Sequence, residues 1–204
     1  MAKKDKNKQA DNSVVTPTFR VGYVELPDGE ENDRYQITAI FDSDADISDL
    51  EDMVLDALKE AHGVKKFKEG YNNPLHDGNK RYKKSKRKEF KDATYCSLKT
   101  GFLPSCIDES SKKSKNAKVD DSSYLYAGAY FQAIVDVYSY NGKKGSDAGI
   151  GIGLQSLLKV KDGKKLSGGG LSPEQAREKF NQAGRGDEPK PKKKDKDKGK
   201  KKKK

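Results

Sequence analysis

Hydrophobic and polar positions alternate most regularly between Tyr124 and Tyr140, in the stretch YLYAGAYFQAIVDVYSY. One set of alternate positions is small or apolar: Ala127, Ala129, Phe131, Ala133, Val135 and Val137. The other set is rich in tyrosine: Tyr126, Gly128, Tyr130, Gln132, Ile134, Asp136, Tyr138 and Tyr140. Because successive side chains of a strand point to opposite faces of a sheet, this pattern predicts one long strand with a packed face and a tyrosine-rich face.

An Asn141-Gly142 pair follows this strand, and such a pair favours a tight hairpin because both turn positions need positive φ. A second run, in which glycine alternates with aliphatic residues, extends from Ala148 to Gln155, and residues 154–163 either continue that strand or form a short helix. Its glycines lack the spacing of a phosphate-binding loop. The pattern therefore predicts a hairpin whose open face shows tyrosines beside glycines, with room for flat ligands such as nucleobases.

Two shorter alternating runs near the N-terminus, Thr18 to Asp28 and Arg34 to Asp42, predict an antiparallel pair of strands. The first of them would place Phe19, Val21 and Tyr23 on one face. A further strand is predicted from Asp92 to Ser105, and a polar loop from residue 108 to 121.

Between these strands the period changes. Apolar residues recur every three or four positions from Ile47 to Ala61, which predicts an amphipathic helix that ends at Gly63. Ser48 and Glu51 fit a capping box at its start.

The most basic part of the body of the chain is an insertion, residues 64–91, in which aromatic residues are interleaved with lysine and arginine. Cations can follow a phosphate chain and rings can accept stacked bases, and single-strand binding needs both. The cations of interest are Lys80, Arg81, Lys83, Lys84, Lys86, Arg87 and Lys88, and the tyrosines are Tyr71 and Tyr82. The alternative is a solvated lysine-rich loop whose aromatic residues anchor it to the core. Asn72-Asn73-Pro74 and Asp77-Gly78 are typical of loops.

Charge changes this picture less than its total suggests. The formal net charge is +11, but Arg185 to Lys204 alone has twelve Lys and Arg against four Asp and Glu. Residues 1–12 add a surplus of two, so about one positive charge is left for residues 13–184. Nucleic-acid binding by the body must therefore depend on how its charges are distributed.

Composition also predicts the domain boundaries. With 32% hydrophobic and 37% charged residues, part of the chain is expected to be disordered. We expect a disordered N-terminus over residues 1–13, a folded domain over 14–167, a glycine linker and a short helix from Ser172 over 168–184, and a disordered lysine-rich tail over 185–204.

The chemistry-bearing residues do not point to an enzyme. Cys96 and Cys106 lack metal-ligand spacing and indicate two reduced thiols, and His62 and His76 are isolated, so no nucleophile–base pair is apparent. We expect no catalysis, no cofactor and no metal. No apolar run approaches the roughly 18–20 residues that cross a bilayer, and the N-terminal residues have no signal segment, so we expect a soluble protein that stays in the cytoplasm.

Several stretches together resemble a family of tailed-phage single-stranded DNA-binding proteins. They occur in the family's order and cover residues 18–166: NPLHDG (73–78), GFLPSCID (101–108), YLYAGAYFQAIVDVYSYNGKKG (124–145) and GIGLQSLLKVKDG (151–163). The resemblance implies a mainly β fold with α insertions, an OB-fold-like five-stranded antiparallel barrel that coats single-stranded DNA during phage replication and recombination. Its location would be the cytoplasm of the bacterial host. Such proteins usually end in an acidic tail that recruits partners, whereas this chain ends in PKPKKKDKDKGKKKKK, which suggests added phosphate affinity instead.

We therefore expect a sequence-tolerant binder of single-stranded DNA, with phage replication or recombination proteins and a second copy of the chain as candidate protein partners. Bases would stack on tyrosines, and phosphates would contact the seven cations of the insertion named above. The expected stacking residues are Tyr71, Tyr82, Tyr126, Tyr130 and Tyr138. The alternatives are an RNA- or duplex-binding protein that uses the same surface, a scaffold protein that binds nucleic acid through its basic tail, and, least favoured, an enzyme acting on DNA.

Overall fold

The structure, a computed structural model, describes residues 13–27, 33–108, 124–143, 146–166, 177 and 179. The chain divides into two units, Met1–Leu166 and Ser167–Lys204, and the only described residues of the second, Arg177 and Lys179, are helical. The expectations for residues 1–12, for most of the 108–121 loop, for the linker and for the tail lie outside the described residues.

The described part of the first unit is mainly β. Its strands are β1 (Val14–Val15), β2 (Phe19–Glu25), β3 (Tyr35–Phe41), β4 (Tyr71–Asn72), β5 (His76–Asp77), β6 (Thr94–Thr100), β7 (Ser105–Asp108), β8 (Tyr130–Tyr140) and β9 (Ala148–Lys161). Its helices are α1 (Ser48–His62) and α2 (Gly78–Ser85), followed by a 3-10 turn, Lys88–Phe90. This confirms the predicted class, mainly β with α insertions.

Five strands form a closed circuit of hydrogen-bonded pairs. The circuit runs β2–β3–β6–β9–β8 and returns to β2 through the pairs Phe19–Phe131 and Arg20–Tyr130. Four of its pairings are antiparallel, as expected, whereas β6 and β9 are parallel. Three short strands extend this sheet along β9 and β8: β4 and β7 pair with β9, and β1 pairs with β8.

The core lies inside this circuit and under α1. Alternate residues of the five strands point inward and are buried, and the helix adds Leu50, Val54 and Leu58 from one face. A smaller cluster on the other side of β3 joins Ile40 to Phe90 and Ala93, with Tyr82 and Tyr95 packed against it. The insertion is therefore anchored to the sheet by its own apolar contacts.

The long strand predicted from Tyr124 to Tyr140 is shorter in the structure. Phe131, Ala133 and Val135 are buried as expected, but β8 begins at Tyr130. The chain bends before it at Gly128, which has a φ of 112° and still bonds to Val21 of β2. The predicted hairpin between β8 and β9 is confirmed. Its connection consists of residues 141–147, so the prediction of a tight Asn141-Gly142 turn is wrong. Residues 154–161 continue β9 and are not helical.

Three other local predictions are wrong. A register shift between Val21 and Tyr23 breaks the alternation of β2, so that Tyr23 is exposed whereas Phe19 and Val21 are buried. The strand expected over residues 92–105 is two strands, because β6 ends at Thr100 and the chain resumes after Pro104 as β7 beside β9.

The third error is the capping box of α1. Asp46 Oδ1 accepts hydrogen bonds from the backbone N–H and the hydroxyl of Ser48 at 3.1 Å and 2.6 Å, and no side chain caps at Ile47. The predicted end is confirmed, since Gly63 adopts the left-handed conformation with a φ of 65°.

Both cysteines are buried free thiols, as predicted. Burial raises the pKa of each to about 12, so they are protonated at neutral pH. No helix among the described residues is long and apolar enough to cross a membrane.

Candidate nucleic-acid interface

An open groove of about 280 Å³ lies on the outer side of the sheet where β6, β9 and β8 run side by side. The segment that includes β4 and β5 forms one of its walls. The residues that line it are Asn72, Asn73, Pro74, His76, Ser97, Lys99, Tyr138, Tyr140, Ile150, Gly151 and Ile152. We call it the tyrosine groove.

The tyrosines of this groove lie directly on glycines of the neighbouring strand. Tyr138 pairs with Gly151 and Tyr140 with Gly149. A Cβ atom placed on Gly151 would lie 2.3 Å from Cζ of Tyr138, and one on Gly149 would lie 2.7 Å from the hydroxyl of Tyr140. The sequence suggested that these glycines leave an empty space for a ligand. They do not, because the tyrosines already cover them.

These contacts hold Tyr138 by its ring and Tyr140 by its hydroxyl against the β9 backbone without burying either side chain. Tyr138 and Tyr140 remain 40% and 37% exposed. A supported ring with an open surface is a suitable platform for a base, because stacking needs only a π face and tolerates any sequence.

Polar residues of two other strands border these rings. Ser97 and Lys99 come from β6, and Lys99 pairs with Gly153 of β9, next to the glycines under the tyrosines. His76 lies with its ring centroid 5.1 Å from that of Tyr95. Desolvation of the imidazole, together with the positive charge of Arg81, lowers the pKa of His76, so at neutral pH it supplies a neutral ring.

The part of the insertion that follows the groove wall is helical. Asp77 was expected in a loop, but it caps α2, since its Oδ1 accepts a hydrogen bond from the backbone N–H of Asn79 at 2.8 Å. The predicted lysines on and after this helix are exposed: Lys80, Lys83, Lys84, Lys86 and Lys88. Lys80, Lys83 and Lys84 lie on α2, which begins two residues after His76 of the groove wall, and Lys86 and Lys88 follow the helix.

The two arginines of the insertion lie elsewhere. Arg81 stands over the rings of Tyr23, Phe90 and Tyr95, with its Cζ 5.2 Å, 4.6 Å and 5.0 Å from their centroids. Arg87 lies 4.4 Å from the centroid of Tyr23 and forms a salt bridge with Glu89. Both arginines are therefore engaged in packing α2 and the 3-10 turn onto the sheet.

The predicted stacking residues fall into three places. Of the five, only Tyr138 lines the tyrosine groove. Tyr71 packs against the main core with its ring centroid 5.2 Å from that of His62, and Tyr82 packs in the smaller cluster. Tyr126 and Tyr130 lie at the other end of the hairpin.

That other end of the hairpin is far from the tyrosine groove. Tyr138 is eight positions after Tyr130 on the same face of β8, which corresponds to about 26 Å. The Tyr126 hydroxyl donates a hydrogen bond to Asp162 at 2.7 Å and accepts one from the Gly163 N–H at 3.2 Å. Burial and this bond to Asp162 raise the pKa of Tyr126.

Among the groove residues that carry an aromatic ring or a charge, sequence reasoning missed three: Tyr140, Lys99 and His76. Tyr140 belonged to the tyrosine-rich set, so its signal was present. The position of Lys99 depends on the parallel pairing of β6 with β9, which joins segments about fifty residues apart and leaves no local pattern.

A protein-family model described as "Enterobacter phage Enc34, ssDNA-binding protein" matches residues 12–189, most of the chain. The chain belongs to this family. The resemblance to phage single-stranded DNA-binding proteins is thereby confirmed. No curated protein matches the chain.

Solved structures agree with this membership of the Enc34 family. The bacteriophage Enc34 single-stranded DNA-binding protein in complex with ssDNA is similar to this chain, with a TM-score of 0.63 and 19% identity over 81% of this chain and 97% of that one. The same phage protein in a separate structure gives 0.60 and 19% over 86% and 97%. The gp2.5 single-stranded DNA-binding protein of bacteriophage T7 gives 0.51 and 14% over 81% and 93%. At these identities the likeness shows the fold.

Proposed function

We propose that this protein binds single-stranded DNA in phage replication, with bases on Tyr138 and Tyr140. The observation that carries the site is a pair of partly exposed tyrosines, with the Tyr138 ring on Gly151 and the Tyr140 hydroxyl at Gly149, in a groove bordered by Lys99. Membership of the Enc34 family supports the choice of ligand, since the family's description names single-stranded DNA binding.

We also propose that the five-strand circuit is an OB-fold barrel. The strand order, with the third and fifth strands parallel and the first joined to the fourth, supports this. OB-folds bind oligonucleotides on the face of their second and third strands and beside the loop between the fourth and fifth. The tyrosine groove includes residues of β6, the third strand, and Tyr140, which directly precedes that loop.

Phosphates would follow the exposed lysines of α2 and the turn after it. Lys80, Lys83, Lys84, Lys86 and Lys88 are available for this role, whereas Arg81 and Arg87 would act by holding the helix against the sheet. Tyr71 and Tyr82 would likewise support the groove from the core, and the basic tail, residues 185–204, would add phosphate affinity to the domain of residues 14–167. The role is one of binding and not of catalysis, in the cytoplasm of the bacterial host.

Competition between nucleic acids tests this proposal. Unlabelled oligothymidine should displace a labelled oligothymidine at lower concentration than a DNA duplex of equal length, because duplex bases cannot reach the rings. An RNA of equal length tests whether the site distinguishes a strand with 2′-hydroxyl groups. All three should be compared at one salt concentration, since every phosphate contact is salt-dependent. If duplex or RNA competes as well as oligothymidine, single-stranded DNA is not the preferred ligand.

A further inference from the structure

We infer that the same DNA strand makes a second contact at the opposite end of the hairpin, on a cationic cluster formed by Arg20, Tyr130, Lys161, Lys164 and Lys165. This inference rests on the proposed function and extends it, because it makes the binding site run along the whole outer face of β8. We call these five residues the Arg20 cluster.

The centre of the cluster is a row of three side chains across three strands. Tyr130 of β8 pairs with Arg20 of β2 on one side and with Lys161 of β9 on the other. The Arg20 Cζ lies 5.8 Å from the centroid of the Tyr130 ring, and the Lys161 Nζ lies 4.6 Å from it. Two cations from different strands are thus gathered at one ring. The Lys165 Nζ lies 5.3 Å from the centroid of Tyr126, whose hydroxyl accepts a hydrogen bond from Gly163.

Tyr130 is also supported as the groove tyrosines are. A Cβ atom on Gly163 would lie 2.8 Å from Cε2 of Tyr130, so this ring too lies against a glycine. The outer face of the β8–β9 hairpin therefore carries the same arrangement at both ends, a tyrosine on a glycine with a lysine nearby.

The positive charges of the cluster are not neutralised within the described residues. No carboxylate there pairs with Arg20, Lys161, Lys164 or Lys165. The nearby carboxylate of Asp162 forms a salt bridge with Lys159 at 2.8 Å and accepts a hydrogen bond from the Tyr126 hydroxyl.

Arg20 is anchored so that its charge stays in place. Its Nη2 donates a hydrogen bond to the backbone carbonyl of Lys164 at 3.0 Å, while its Nε is buried and makes no hydrogen bond. A guanidinium that is held in place and has no counter-ion among the described residues favours an anion with several acceptor oxygens, such as a phosphodiester, which would bind at its Nη groups because the buried Nε is out of reach.

The distance between the two ends of β8 is short enough for the strand bound in the tyrosine groove to bind the Arg20 cluster as well. The two ends of β8 are about 26 Å apart on one face, and one OB-fold contacts about 4–16 nucleotides of single-stranded nucleic acid. A strand long enough to leave the groove along β8 therefore reaches the cluster, and a short strand does not.

The test compares oligothymidines of two lengths on the full chain, about 4 and about 20 nucleotides long, one at the lower end of the range for one OB-fold and one beyond its upper end. The variant is Arg20→Gln with Lys161→Gln, and the control with the same charge loss is Lys59→Gln with Lys65→Gln, which are exposed on and just after α1. We expect the variant to bind the short oligomer as the unmodified protein does, and the long one severalfold more weakly. Its log–log salt slope for the long oligomer should be shallower by about 1.4, for two phosphates at about 0.7 each.

A second variant, Lys161→Gln with Lys165→Gln, keeps the hydrogen bond of Arg20. It therefore separates the loss of positive charge from any loss of folding that the removal of Arg20 causes. It should lower the slope for the long oligomer by the same amount. The inference is overturned if both variants match the control at both lengths, or if short and long oligomers weaken equally. A cluster that binds an acidic peptide instead, with the DNA slope unchanged, would also overturn it. If the unmodified protein binds neither oligomer, the proposed function itself fails.

Discussion

Alanine at both Tyr138 and Tyr140 is expected to weaken the binding of oligothymidine by at least roughly 30-fold. Each base stacked on an aromatic side chain contributes about 1–3 kcal/mol, so the loss of two platforms removes about 2–6 kcal/mol of binding free energy. Both rings are exposed in the tyrosine groove and are held on glycines, so both are ready to stack. Fluorescence titration at fixed salt measures the change.

Phenylalanine at the same two positions is the matched control. It keeps both π faces and removes only the hydroxyl groups, so this variant should bind within a few-fold of the unmodified protein. Thermal unfolding of each variant shows whether the hairpin is intact. A folded alanine variant with unchanged affinity would remove these tyrosines from the binding site.

The largest loss of stability is expected from Phe131→Ala. Phe131 is fully buried, lies in edge-to-face contact with Tyr124 at 5.5 Å between centroids, and pairs with Phe19 where β8 meets β2. Truncating a buried phenylalanine costs about 3–5 kcal/mol through lost burial and the cavity left behind. Urea denaturation measures this loss in the free energy of unfolding.

Val15→Ala serves as the comparison for that experiment. Val15 also belongs to a strand paired with β8, but its side chain is 63% exposed. Its truncation should change the free energy of unfolding by only about 0.5 kcal/mol. Comparable losses at the two positions would mean that closure of the five-strand circuit at Phe131 is not a main source of stability.

The sequence predicted elements best where one local pattern determines them. The alternation in β8 and the three-to-four residue period of α1 were both visible, because one face of each is buried. Tyr23 was placed on the wrong face since a register shift beside Gly22 leaves no mark on the hydrophobic pattern. The helix α2 was missed because Asp77-Gly78 is equally typical of a turn and of a helix start.

The candidate site was predicted only in part for a related reason. Its tyrosines were found from their shared face, but Tyr130 and Tyr138 were treated as one site although the rise of a strand already places them about 26 Å apart. Lys99 and His76 enter the groove through the pairings of β6 with β9 and with β5, which are long-range. Arg81 and Arg87 look like phosphate ligands by composition, and only the packing of Tyr23 and Phe90 beneath them shows their second role.

We expect the folded domain, and not the lysine-rich tail, to provide most of the affinity for unpaired DNA. The measurement that decides this is titration of labelled oligothymidine, at low salt, with the chain from which residues 185–204 have been deleted. This shortened chain should retain most of the affinity of the full chain, with a shallower salt slope because fewer phosphates are contacted. Loss of nearly all binding on deletion of the tail would contradict it.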